Sequence, residues 1–267
     1  MRYFLCLSYD GSAFCGWQIQ PNAPSVQESL EATLSRLLNR PVQVTGAGRT
    51  DASVNAVGYV AHFDLDGNLP FEASDFSYKL NAMLPRGIAV QSVSPVADDL
   101  HARFSAKRRE YTYFIHRQKD PFVAAYSWQC GYPELDFDAM NQACQHLLGT
   151  HDFSCFEKTG GDNKTSVCTV ADAFWKPYVP SHVQIMGAAT TGSYWYFRIA
   201  ADRFLRNMVR ATVGSLIEVG RGKRLVADFA SLILPPQSPA GFDTESLRSR
   251  AGESAPGHAL FLSRIDY

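Results

Sequence analysis

Three groups of residues in this chain have the types and spacing that chemistry needs. The first is Gly46-Ala47-Gly48-Arg49-Thr50-Asp51, which sets a lone carboxylate two residues after an arginine on a glycine-bearing loop. A charged pair at the mouth of a sheet can act on a ligand held there. A glycine turn pinned by a local Arg–Asp hydrogen bond would use the same residues. Two nucleotide-binding readings fail: the sixth place of a GxGxxG fingerprint is Asp51, and Gly-Lys followed by Ser or Thr is absent. An acidic group in a phosphate cradle would repel the ligand.

The second group lies in a segment expected to form a helix over about 204–219, where Phe204, Leu205, Met208, Val209, Val213, Leu216 and Ile217 make a wide apolar face. Arg203, Arg206 and Arg210 recur at i, i+3 and i+7 and are expected to share another face. Arg210, flanked by apolar residues, costs too much to bury unpaired and calls for a carboxylate or phosphate. Gly214, one turn on, permits close approach. The third group is Arg103-Phe104-Ser105-Ala106-Lys107-Arg108-Arg109-Glu110-Tyr111-Thr112-Tyr113-Phe114, a basic run entering a strand of alternating aromatics. Arg and Lys on phosphates with an aromatic ring on a base is how looped RNA is commonly held; the same tyrosines also suit an ordinary strand surface.

Charge suits a selective polyanion binder, and equally two solvated faces that happen to be basic. Residues 101–119 and 203–224 each carry +5, so the rest of a chain of net charge −1 carries −11. The composition, 46% hydrophobic and 19% charged, is that of a soluble globular protein, and no run approaches the roughly 20 apolar residues of a membrane span. The N-terminal residues 1–9 look like a first strand rather than a signal peptide. Six scattered cysteines without a CxxC read as reduced, mostly buried residues of a cytoplasmic protein. The seven histidines show no metal-ligand spacing, so no metal is expected.

These groups need elements to position them. Ser25-Val26-Gln27-Glu28 is a capping box, and Val26, Leu30, Leu34, Leu37 and Leu38 mark one helical face to about Asn39. Strands are expected near 2–9, 42–46, 57–64 and 88–97, with a second helix near 74–83. Beyond them the pattern predicts a strand over 110–116, a helix over 137–148, strands near 166–177, 182–187 and 194–201, the 204–219 helix, a short helix near 226–234 and a last strand over 258–265. This order implies an α+β fold of two pseudo-symmetric α/β-sandwich domains with antiparallel sheets, helices on one face and a catalytic cleft between them. The expected domains are 1–105, with the Asp51 loop, and 106–267, with Tyr111 and Arg210.

Taken in register, the segments resemble the tRNA pseudouridine synthase A family over nearly the whole chain. The matching pieces are Tyr9-Asp10-Gly11, Phe14-Cys15-Gly16-Trp17-Gln18, Ser25-Val26-Gln27-Glu28, the 46–51 loop, His101-Ala102-Arg103-Phe104-Ser105-Ala106, and His151-Asp152-Phe153. Met208-Val209-Arg210 with Gly214, Glu218-Val219-Gly220, and Ala255-Pro256 with Leu260 complete the set. Two positions depart from the family's Gly-Arg-Thr-Asp-Ala-Gly-Val-His: Ser53 replaces the second glycine and Asn55 the histidine.

The resemblance implies isomerisation of uridine to pseudouridine at positions 38 to 40 of the tRNA anticodon stem-loop, without cofactor or metal. It implies Asp51 as the nucleophile, Arg210 as the partner that pairs and orients it, and Tyr111 as the ring stacked on the flipped uracil and a candidate C5 base. Leu260 would wall the pocket, and Arg49 would contact the flipped nucleotide or its phosphate. Arg103, Lys107, Arg108, Arg109 and Arg206 would hold the RNA backbone. A cytoplasmic homodimer gripping one tRNA is also implied. Two other readings use the same residues: an RNA-binding module without catalysis, and a hydrolase that stops after cleaving an N-glycosidic bond. No second carboxylate stands near Asp51 in sequence for the latter.

Overall fold

The computed structural model describes residues 1–158, 165–187, 194–236 and 244–267. In chain order the strands are β1 (Arg2–Tyr9), β2 (Thr45–Gly46), β3 (Asn55–Asp64), β4 (Ile88–Val96), β5 (Arg108–His116), β6 (Trp128–Gln129), β7 (Gly149–Asp152), β8 (Val167–Pro177), β9 (Tyr194–Ala201) and β10 (Leu260–Asp266). The helices are α1 (Val26–Leu38), α2 (Ala73–Met83), α3 (Phe137–Gln145), α4 (Ser181–Met186), α5 (Met208–Gly220), α6 (Val226–Ala230) and α7 (Thr244–Arg250). The fold is mixed α+β, and its long strand pairs are mostly antiparallel.

The chain divides into two compact units, residues 1–109 with 261–267, and residues 110–260. The last strand is thus counted with the first unit, whereas sequence order alone puts it in the second. The reason is pairing: β10 runs parallel to β3, with Phe261 opposite Asn55 and Leu262 opposite Ala56.

In the first unit β1 alternates as its sequence requires, burying Tyr3, Leu5, Leu7 and Tyr9. It pairs antiparallel with both neighbours, Leu5 lying opposite Ala61 of β3 and Val93 of β4. Helix α1 starts at the expected cap, where Ser25 Oγ accepts the Glu28 N–H at 3.2 Å, and ends on Asn39 in the left-handed region (φ 50°). It buries Val26, Leu30, Thr33 and Leu34, while α2 packs on β4. The strand expected at 42–46 shrinks to Thr45–Gly46. Side chains of α1 take the preceding amides: Val42 N–H donates to Ser35 Oγ at 2.9 Å and Val44 N–H to Glu31 Oε1 at 2.9 Å.

In the second unit β8 pairs antiparallel with β9 and β7, with Ala173 opposite Ile199 and Thr150 opposite Thr169. Its centre is α5, which buries ten residues from Met208 to Gly220 and packs against α3. Two sequence expectations are corrected here. The strand near 182–187 is the short helix α4, entered at Pro180 and stopped by Gly187 in the left-handed region (φ 65°); terminal residues that favour a helix outweigh the apolar run. The helix expected from 204 begins at Met208, because Asn207 takes φ 65°. Arg203 and Arg206 therefore lie off the helix, and the expected arginine stripe does not form. Helix α7 lies between the elements expected at 226–234 and 258–265, where the sequence pattern predicts none.

Candidate active site

Many of the hydrogen bonds that hold the Asp51 loop in the first unit run to its backbone. Ala47 N–H extends the β2–β3 pairing to Val60 O at 2.9 Å. The buried Tyr59 hydroxyl donates to Gly48 O and lies 3.4 Å from Gly48 N. Gly46 is required by space: a Cβ there would overlap Tyr59 Oη and the Trp17 ring, which stack on each other at 4.2 Å between centroids. Buried Thr50 shares a hydrogen bond with Tyr9 Oη at 2.9 Å, and its carbonyl accepts Trp17 N–H at 3.2 Å. Asp51 O accepts Val54 N–H at 3.2 Å, closing one turn that leaves the Asp51 side chain half-buried and Arg49 exposed.

The two departures from the family pattern fit this turn. Ser53 takes φ 64°, the region that favours glycine, and its N–H reaches Phe14 O at 3.3 Å. Asn55 is buried, and its Oδ1 accepts Gly11 N–H at 2.8 Å. The loop is therefore tied to residues 9–17 through Tyr9, Gly11, Phe14 and Trp17.

The basic run before β5 does not present a uniform face. Arg103, Phe104 and Lys107 are exposed. Arg108 and Arg109 are half-buried. Arg108 Nη1 lies 3.7 Å from the Asp266 carboxylate, while Arg109 donates to three main-chain carbonyls, those of Arg103, Ala106 and Ala47. Beneath the turn sits His62, whose burial lowers its pKa to about 4; its Nδ1 accepts the Ala102 N–H at 3.2 Å.

In the second unit Arg210 occupies the first turn of α5, half-buried. Its Nε donates to Ala255 O at 2.7 Å, and Ala255 N–H donates back to Arg210 O at 3.0 Å. Gly214 makes this approach possible, since a Cβ there would overlap the Glu253 carbonyl oxygen. Tyr113 adds a third tie, donating to Pro256 O at 2.9 Å; burial pushes its hydroxyl pKa far above the usual range, so it stays a donor. Tyr111, on the same face of β5, is half-buried with Phe204 edge-on at 5.0 Å. Leu260 is buried and Arg206 exposed.

Sequence reasoning missed several supports. Tyr59 and Tyr9 read only as strand residues. The two basic segments meet at Tyr132: Arg117 donates to the carbonyls of Tyr132 and Pro133, and the Arg221 guanidinium lies 3.6 Å over the Tyr132 ring. Among the described residues no group of three or more His, Cys, Asp or Glu could hold a metal ion, and no helix is long and apolar enough to cross a membrane. The six cysteines carry free thiols.

Comparison with known proteins agrees along the whole chain. The sequence model of the family described as tRNA pseudouridine synthase matches residues 5–105 and 143–267. The tRNA pseudouridine synthase A of Porphyromonas gingivalis is 45% identical over 266 residues, covering 100% of this chain and 97% of that protein. That of Parabacteroides distasonis is 44% identical over 269 residues, covering 100% and 96%. That of Bacillus licheniformis is 37% identical over 271 residues, covering 100% and 99%. Matched by the family model over most of its length and by these relatives over all of it, the chain belongs to the tRNA pseudouridine synthase family, a family of isomerases.

Proposed function

We propose that this enzyme isomerises uridine to pseudouridine at positions 38 to 40 of the tRNA anticodon arm, with Asp51 as nucleophile on a flipped nucleotide. A stacked uridine hides the atoms to be attacked, so it must leave the stack at a cost of roughly a few kcal/mol. The Asp51 carboxylate adds to the nucleoside, at C1′ of the ribose or C6 of the base. The C1′–N1 bond breaks, the uracil turns, a C5–C1′ bond forms, the C5 proton departs to solvent while N1 takes up a proton, and the carboxylate is released. A carboxylate suits both ends of this sequence, because it is ionised near neutral pH and is a competent leaving group.

Arg210, fixed at Nε by Ala255, is assigned to pair with and orient the carboxylate. Tyr111 is assigned to stack on the uracil and to help remove the C5 proton, with Leu260 as an apolar wall. Exposed Arg49 is assigned to the flipped nucleotide, and Arg103, Lys107 and Arg206 to the backbone phosphates. The enzyme acts in the cytoplasm, as a homodimer that grips one tRNA, and needs no cofactor or metal.

The observation that carries the reading is the Asp51 loop itself. A lone carboxylate stands on a turn whose flanking backbone is bonded to Phe14, Trp17 and Tyr59 and whose Thr50 hydroxyl is bonded to Tyr9, in a chain whose relatives bear the name of this reaction. The test uses unmodified tRNA tritiated at uridine C5. Wild type is expected to release tritium, and Asp51→Asn to lose at least about 1,000-fold in rate, as removal of a covalent nucleophile does. Abasic sites without tritium release would make the enzyme a hydrolase, and binding with neither product would make it an RNA-binding module.

A further inference from the structure

Arg109 belongs to a basic run but turns its donors inward. Its Nη2 donates to Arg103 O at 2.6 Å and to Ala47 O at 3.0 Å, and its Nη1 to Ala106 O at 3.4 Å. Ala47 is fully buried and lies four residues before Asp51. Arg103 and Ala106 belong to the 101–107 turn, which exposes Arg103, Phe104 and Lys107. That turn is anchored elsewhere as well. Ala102 N–H donates to His62 Nδ1 at 3.2 Å, Tyr267 Oη donates to Ala102 O at 2.7 Å, and Lys107 N–H donates to Asp266 O at 2.8 Å. A guanidinium is a planar fork with donors in fixed directions, so one that binds carbonyls of two segments sets the distance from one to the other. An ammonium cannot do this, because it carries its donors on a single atom.

We propose that Arg109 is a positioning residue that couples the exposed 101–107 turn to the loop carrying Asp51. RNA held at Arg103 and Lys107 then bears, through this fork, on where the nucleophile stands. This rests on the assignment of Asp51 as nucleophile. It also sets Arg109 apart from its neighbours: a guanidinium committed to three carbonyls is not a phosphate contact, although its sequence context suggests one.

The test compares Arg109→Gln and Arg109→Lys with Arg103→Ala in the full-length protein. Hydrogen–deuterium exchange is followed over residues 45–54 and 101–107, the tRNA Kd is measured across a salt series, and single-turnover rates are taken with saturating enzyme. Both Arg109 variants are expected to speed exchange in both segments on the order of tenfold. They should slow the single turnover roughly 10- to 100-fold, as a nucleophile displaced by about 1 Å would. Their Kd and salt slope should stay near wild type. Arg103→Ala should instead weaken binding and take about one off the slope of log K against log salt.

The proposal is overturned if exchange over 45–54 is unchanged in Arg109→Gln, or if that variant lowers the salt slope by about one at a wild-type turnover rate. It is overturned equally if Arg109→Lys behaves as wild type, because charge without the fork would then suffice. Near-UV circular dichroism of the lysine variant separates loss of the fork from loss of the fold. A wild-type enzyme that releases no tritium would strike the Asp51 assignment, while the exchange and salt measurements would still decide whether Arg109 couples the two segments.

Discussion

Around Asp51 the chain is fixed by directed polar contacts from residues far away in sequence, whereas around Arg210 it is fixed by burial of a helix. Phe14, Trp17, Tyr59 and Arg109 each bond to a main-chain group of the loop, while Tyr9 and Gly11 bond to the side chains of Thr50 and Asn55. Arg210 instead rides on α5, which is buried along most of its length, and is located by close backbone approach at Gly214 and one reciprocal pair with Ala255. A loop held through its backbone tolerates exchange of its side chains. Ser53, one of the two departures from the family pattern, is bonded through its N–H, while Asn55, the other, is bonded through its side chain to Gly11 N–H. A buried helix held by contact tolerates no added volume.

Four substitutions would break or sharpen this contrast. The largest effect is expected from Gly214→Ala, whose Cβ would overlap the Glu253 carbonyl and force the 253–256 segment away from Arg210. It should cost about 3 kcal/mol in a urea titration, as overpacking a core contact does, and lower turnover as well. Gly48→Ala, which meets nothing within 4 Å, should cost less than about 1 kcal/mol. Equal midpoints for the two variants would refute the contrast.

Tyr59→Phe comes next. It removes the hydroxyl from Gly48 while leaving the ring against Trp17 and Tyr9. We expect a loss of about 1–2 kcal/mol for the unpaired carbonyl, with turnover reduced and tRNA affinity held. A Kd that rises while the turnover rate stays constant would show that the hydroxyl serves binding rather than loop placement. The smallest effect should come from Ser53→Gly. Serine at φ 64° stores roughly 1 kcal/mol, part of which glycine recovers after its larger entropy loss on folding. The variant should therefore gain about 0.5 kcal/mol, visible as a slightly higher Tm. A lower Tm would mean that Ser53 contributes a contact outweighing its strain.

Much of the frame was legible in the residues. The alternation of Tyr3, Leu5, Leu7 and Tyr9 marks β1, and the Ser25–Glu28 cap with leucines four apart marks α1. Both are local signals, set by side-chain period and by the unsatisfied amides of a helix start. Where the reading failed, a neighbour had taken over a backbone group. Glu31 and Ser35 claim the amides that would have continued β2. Asn207 turns left-handed and delays α5 by a turn, which moves Arg203 and Arg206 off its face. The final strand could be foreseen as a strand but not as belonging to the first unit, since only its parallel pairing with β3 puts it there.

By itself, then, the sequence determined which residues could do chemistry. A lone carboxylate after an arginine, an arginine among apolar neighbours and a tyrosine following a basic run are properties of residue type and order. Tertiary structure decided what holds them. Whether an arginine in a basic run reaches outward or, like Arg109, spends its donors on buried carbonyls depends on which segments fold beneath it. Hydrogen bonds over such separations are set by the packing of strands that no local pattern encodes, so Tyr59, Tyr113 and Arg109 could be given their parts only once the chain was folded.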